Sequence, residues 1–205
     1  MKRLQLRLCI IHTMSRAIRL TATPSQTVGP FFHRGLADNA ALGCLTRPDT
    51  KGERVGLRIR VLDGDGVPVN DALVELWQAD ADGQYVRPAD PSSILSAPGF
   101  CGFGRLATDA DGVCAFETIR PGRVATSDGQ LQASHVNVCL FARGLLRQLY
   151  TRIYFAGDPD LAADVVLAGV AEERRGTLLA RASDDGSWMF DVCLQGENET
   201  VFFDI

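Results

Sequence analysis

Apolar and polar residues alternate with a period of two through much of the chain. Val55, Leu57, Ile59 and Val61 are interleaved with Gly56, Arg58 and Arg60, the pattern of a half-buried strand whose side chains point to opposite faces. Ala72 to Gln78 reads as a second strand. Further short runs, apolar or alternating, lie at Val113–Ile119, His135–Ala142, Leu149–Phe155, Trp188–Leu194 and Thr200–Phe203. Between them Asp-Gly pairs recur at 65–66, 82–83, 111–112, 128–129 and 185–186, a strong hairpin signal when flanked by alternating hydrophobics. Helical patterns are confined to Asp160–Gly169 and Glu172–Ala182, each long enough for two or three turns. The pattern predicts an all-β fold, an antiparallel β-sandwich with long loops and one or two short helices.

A length of 205 residues suits one core. No low-complexity linker divides residues 23–205, and the proline-rich stretches at 87–98 and 120–122 read as loops inside that domain. Residues 1–22 read as an N-terminal tail. Their apolar run is interrupted by Arg7, no small-residue cleavage site follows, and Met14 is an alternative start. With 46% hydrophobic and 22% charged residues, the composition is that of a soluble globular chain rather than a membrane-spanning one. A net charge of −4 gives no electrostatic footprint for nucleic acid. Six cysteines at 9, 44, 101, 114, 139 and 193 have neither zinc nor disulfide-framework spacing, so buried free thiols and a reducing cytoplasm are expected.

Asp-x-Asp-Gly occurs at Asp63, Asp80 and Asp109, which raises calcium as a ligand. The spacing lacks the third oxygen donor and the distal glutamate of a calcium loop, so hairpin turns are the expectation. Gly102-Phe103-Gly104 reads as a tight loop, having neither the later glycine nor the helix of a phosphate cradle. No nucleophile elbow is present. Of the histidines at 12, 33 and 135, His135 opens a strand whose same-face neighbours are Asn137, Cys139 and Phe141. One histidine cannot build a metal site.

Longer motifs go further. Thr23-Pro-Ser-Gln-Thr-Val-Gly-Pro-Phe-Phe-His-Arg-Gly-Leu36, Glu75-Leu-Trp-Gln-Ala-Asp-Ala-Asp-Gly-Gln-Tyr85, Thr118-Ile-Arg-Pro-Gly122, Ser134-His-Val-Asn137, Phe141-Ala-Arg-Gly144, Gly157-Asp-Pro159 and Gly196-Glu-Asn-Glu-Thr-Val-Phe-Phe-Asp204 follow one another in order. Together they resemble the intradiol ring-cleavage dioxygenases over roughly residues 23–205, and within that family the α subunit of the two-chain enzymes. The resemblance implies a β-sandwich, a non-haem Fe(III) held by two tyrosinates and two histidines, and insertion of both atoms of O₂ between the hydroxylated carbons of a catechol, here protocatechuate.

The ligand motif departs from the family pattern. A ligand-bearing subunit has His-x-His on one strand, whereas this chain has His135-Val136-Asn137. The tyrosine expected after the Arg-Pro-Gly turn falls at about Val124, and the loop from Val86 to Phe100, where the other ligand tyrosine is expected, contains none. Three of four donors are missing on this count. His135 and Asn137 then read as the remnant of a degenerate site, and Tyr85, Tyr150 and Tyr154 as core residues.

By the same resemblance the chain is the non-ligating α subunit of an αβ hetero-oligomer, with iron held by the partner β subunit. No catalytic or metal-binding residue is then expected in this chain. Its matching substrate-binding positions are Thr27, Pro30 and Arg143, with the Arg143 guanidinium suited to the ring carboxylate of the substrate. Two other readings compete. Residues 55–78 also resemble transthyretin-like binding modules, which catalyse nothing, and a homodimeric catechol or hydroxyquinol dioxygenase would share the family motifs.

Overall fold

Residues 22–29, 32–86 and 99–204 are described by a computed structural model, and strands dominate them. The alternation at 55–61 becomes β1 (Arg54–Leu62), in which Val55, Leu57, Ile59 and Val61 are buried. β1 pairs in parallel with β10 (Trp188–Cys193) and antiparallel with β4 (Val113–Ile119). A second layer places β2 (Leu73–Gln78) between β3 (Phe103–Ala107) and β7 (His135–Phe141), with β8 (Leu149–Phe155) beyond β7. β9 (Leu179–Ala182) pairs in parallel with β8 and antiparallel with β10, and so stitches the layers into one order, β3-β2-β7-β8-β9-β10-β1-β4. β5 (Val124–Ala125) and β6 (Leu131–Gln132) form a separate small hairpin. Between the layers lie Leu57, Ile59, Phe116, Phe190 and Val192 on one side and Val74, Leu76, Val136, Val138, Leu140 and Ile153 on the other.

The all-β architecture agrees with the sequence pattern, with several local corrections. Two pairings are parallel, so the sandwich is mixed rather than purely antiparallel. Gly102-Phe103-Gly104 is not a tight loop: Phe103 and Gly104 open β3. Glycine is required there, because a Cβ on Gly104 would lie 2.9 Å from the Leu42 carbonyl oxygen. The Glu172–Ala182 run is half a 3₁₀ helix (Glu172–Leu178) and half β9, while Asp160–Gly169 splits into a 3₁₀ turn and α2 (Val165–Ala168). A further short helix, α1 (Phe32–Leu36), adds to the elements the pattern predicts. Thr200–Phe203 is no strand. It is tied to β8 by one bridge, Tyr150 to Phe203, and by the Thr151 hydroxyl, which donates to the Val201 carbonyl at 2.8 Å.

The Asp-x-Asp-Gly segments are turns, and their first carboxylates are already engaged. Asp63, Asp80 and Asp109 each accept backbone N–H bonds from the residues two and four positions on, at 2.8–3.0 Å. Those oxygens satisfy the chain's own donors. Two family motifs acquire a structural reason as well. Arg120, before the Pro-Gly turn, pairs at 2.8 Å with Asp158 of Gly157-Asp-Pro159 and lies over the Phe155 ring at 4.6 Å. The N-terminal reading of residues 1–22 lies outside the described residues except for Ala22, and Pro30 is also outside them. No helix among the described residues is long and apolar enough to cross a membrane.

Candidate functional site

Alternation along β7 sends Val136, Val138 and Leu140 into the core and leaves His135, Asn137, Cys139 and Phe141 on the outer face. His135 is nonetheless covered, at 1% exposure, by neighbouring loops and the Tyr154 ring. Its Nδ1 lies 2.8 Å from the Ala133 carbonyl oxygen, an acceptor only, so Nδ1 carries the hydrogen and Nε2 offers a lone pair. The Tyr85 hydroxyl sits 3.4 Å from that Nε2 and accepts from Asn137 Nδ2 at 2.9 Å. Asn137 Nδ2 also donates to the Trp77 carbonyl at 3.2 Å. Burial, and then the positive charge of Arg152, push the imidazole down to about 4, so it is neutral at pH 7.

Tyr85 arrives there through close backbone packing. The turn at 80–84 returns the chain beside Trp77, with the Trp77 and Tyr85 ring centroids 6.4 Å apart. That turn is locked to the Arg-Pro-Gly turn: Gly122 N–H donates to the Asp80 carbonyl at 2.8 Å, and a Cβ on Gly83 would lie 1.9 Å from the Arg123 carbonyl oxygen. The buried Ser134 hydroxyl, beside His135, donates to the Pro121 carbonyl at 2.7 Å and closes the lock. Tyr85 is therefore a site residue at 36% exposure, not a core residue, and the phenol of the cluster comes from position 85 rather than from 86–100. The available signal was the hairpin turn at Asp80–Gly83, which reverses the chain and brings residue 85 back to residue 77. Tyr154 does belong to the core. Its hydroxyl donates to Asp164 at 3.1 Å, and burial pushes it up to about 12.

The cluster thus contains one phenol and one imidazole. Asn137 presents an N–H donor to the phenol oxygen rather than a lone pair, and Val124, aliphatic and 8% exposed, carries no donor. Two donors fall short of the two tyrosinates and two histidines that the resemblance implies for Fe(III), so the described residues do not fit a self-contained iron site. Among the described residues, no group of three or more His, Cys, Asp or Glu side chains could hold a metal ion.

The other end of β7 carries a second constellation. Phe141 packs on Phe32, with ring centroids 5.4 Å apart, and the Gly144 N–H donates to Thr27 Oγ1 at 2.7 Å. The N-terminal segment is thereby fixed against the turn that bears Arg143. Arg143 Nε donates to Asp71 Oδ2, and its side chain remains 65% exposed. Thr27, expected to act with Arg143, is bonded to the residue that follows Arg143. Thr27 and Arg143 stand apart from His135 and Asn137 by the length of β7, about 20 Å. Between the two ends the outer face is an open groove of about 600 Å³ whose lining includes Trp77, Phe103, Asn137, Phe141, Tyr150 and Phe203.

The cysteines depart from the expectation of burial. Only Cys114 is buried among those described, its thiol pushed up to about 12, while Cys44, Cys101, Cys139 and Cys193 are half-buried. All five are free.

Fold and motifs define the class: the chain belongs to the dioxygenase family of intradiol enzymes, whose profile matches residues 27–196. It is 41% identical over 200 residues to the protocatechuate 3,4-dioxygenase alpha chain of Pseudomonas putida, covering 90% of this chain and 97% of that one. The beta chain of the same enzyme from Burkholderia cepacia is 36% identical over 185 residues, covering 86% and 77%. Hydroxyquinol 1,2-dioxygenase from Pseudomonas putida DLL-E4 shares the fold, with a TM-score of 0.58 and 24% identity over 85% of this chain and 68% of that one.

Proposed function

We propose that this chain is the α subunit of a protocatechuate 3,4-dioxygenase, completing an active site whose Fe(III) is ligated by a β subunit. The reaction breaks the ring bond between the two hydroxylated carbons of protocatechuate and the O–O bond of O₂, adding one oxygen atom to each carbon to yield 3-carboxy-cis,cis-muconate. The observation that carries the reading is the separation along β7. The exposed guanidinium of Arg143 and the Thr27 hydroxyl, which is held by the neighbouring Gly144 N–H, lie at one end, while the remnant cluster of His135, Asn137 and Tyr85 lies at the other. A guanidinium so placed serves a pocket other than the remnant of its own chain, and a neighbouring subunit supplies that pocket.

In that pocket Arg143 holds the ring carboxylate by charge-assisted hydrogen bonds. Thr27 Oγ1 already accepts the Gly144 N–H, so its own hydrogen is available to the substrate or an ordered water. Pro30 belongs to the same substrate-binding set by resemblance. Arg143 and Thr27 orient protocatechuate and move no proton of the ring chemistry. The αβ units assemble into a larger oligomer, and free thiols together with the lack of any membrane-length apolar helix among the described residues support a cytoplasmic location.

The test is co-expression with a candidate β chain. Only the complex should bind iron, show the visible absorption of tyrosinate coordinated to Fe(III), and take up O₂ with protocatechuate. Arg143→Ala in that complex should leave iron content unchanged and raise KM about tenfold, the loss expected for a hydrogen bond to a charged group. Stoichiometric iron and ring cleavage by this chain alone would overturn the assignment.

A further inference from the structure

We propose that Asp71 is a positioning residue for substrate recognition, holding the Arg143 guanidinium so that its terminal edge faces the substrate carboxylate. The inference rests on the reading of Arg143 given above. Its geometry follows from the β2–β7 ladder. Leu73 lies opposite Phe141 in that antiparallel register, so two residues further out Asp71 falls opposite Arg143. The pair is therefore a continuation of strand register beyond the hydrogen-bonded ends, on residues the fold has already placed face to face.

Asp71 is fixed from both sides. The Thr108 hydroxyl, buried at 5% exposure, donates to the Val69 carbonyl at 2.7 Å and accepts the Ala72 N–H at 3.0 Å. Thr108 N–H returns to the Ala72 carbonyl at 2.9 Å. The carboxylate side chain is only 16% exposed, whereas that of Arg143 is 65% exposed, so one partner is anchored and the other reaches outward. On the far side of the turn Gly144 is held by Thr27, which fixes the backbone that carries Arg143.

The atom used matters. Asp71 Oδ2 engages Nε, at the root of the guanidinium. An Nε contact fixes the plane of the group and turns the Nη1–Nη2 edge outward, and that edge matches a carboxylate in bidentate geometry. A free arginine loses much rotamer entropy when it is immobilised, and a pre-positioned one has already lost it. Stability alone gives the pair little purpose, since an ion pair whose arginine is 65% exposed contributes little to folding.

The αβ complex is assayed with Arg143→Ala, Asp71→Asn, Asp71→Glu and the Arg143→Ala/Asp71→Asn double variant, using protocatechuate and the uncarboxylated catechol. Asp71→Asn should raise KM for protocatechuate about fivefold with kcat within about twofold, the cost of ordering an unanchored arginine, and leave KM for catechol unchanged. Adding it to Arg143→Ala should change nothing further, and Asp71→Glu should restore part of the loss. Asp71→Asn is isosteric, and subunit stoichiometry and iron content report assembly; Asp71→Ser is the second variant at the position. If Arg143→Ala raises KM while both Asp71→Asn and Asp71→Ser leave it unchanged or lower it, Asp71 is a bystander or a competitor and the inference falls alone. If Arg143→Ala itself leaves KM unchanged, the reading of Arg143 falls first.

Discussion

His135 makes the stability of this chain depend on pH in a defined direction. The imidazole is buried, faces the Arg152 charge, and is pushed down to about 4 in the folded chain. An unfolded chain binds that proton near pH 6.5. At pH 7 both states are neutral at this residue and it contributes no pH dependence. Below about pH 6.5 the unfolded chain takes up a proton that the folded chain refuses, so stability is lost as pH falls toward the folded value. At pH 5 the unfolded state gains about 2 kcal/mol from this protonation and the folded state almost nothing, so folding is weakened by about 2 kcal/mol. Urea unfolding of the wild-type chain and of His135→Gln, each at pH 7 and pH 5, isolates the effect. Other titrating groups are common to both proteins, and the wild type should lose about 2 kcal/mol more than the variant across that interval. Equal losses in the two proteins would refute the argument.

Two further substitutions test the packing that builds the site. Gly83→Ala places a Cβ on the Arg123 carbonyl oxygen at a positive φ of 76° and should cost roughly 4 kcal/mol by thermal unfolding. Gly66→Ala, at the same φ but in open space, should cost only about 1–2 kcal/mol. Asp164→Asn replaces a fully buried carboxylate that accepts from Ala133 N–H, Tyr154 O–H, Val166 N–H and Leu167 N–H. The amide turns one acceptor into a donor facing another donor, and urea unfolding should register a loss of roughly 3 kcal/mol.

The sheet was legible wherever alternation and turn chemistry agreed. Val55 to Val61 and Val113 to Ile119 are strands as read, and the glycines of the Asp-Gly pairs at 65–66, 82–83, 111–112, 128–129 and 185–186 all take positive φ. Leu179–Ala182 was not legible, because four residues carry too few periods to separate strand from helix, and their pairing with β8 and β10 is tertiary. Phe103-Gly104 misled for another reason. Glycine flanking an aromatic reads as a loop, yet Gly104 is required within β3 by the close approach of Leu42 and Leu45. Tyr85 was missed because its role depends on what the 80–84 turn packs against, a backbone contact with the turn at 121–123 that strand periodicity does not encode.

On the proposed reading, the absence of iron donors from a chain that keeps the dioxygenase fold is compatible with the same alternation. Asn137 and His135 lie on the outer face of β7, while Val136, Val138 and Leu140 carry its contribution to the core. A change of side chain at position 137 therefore leaves every inward contact of the strand in place. An asparagine there is also not idle, since its amide donates to both the Trp77 carbonyl and the Tyr85 hydroxyl. The opposite end of β7 depends on different residues altogether, with Thr27, Asp71 and Arg143 set by the ladder register and the N-terminal segment. Side chains at that end can thus change independently of those at the other, which is the physical condition that the proposed division of one active site between two homologous subunits requires.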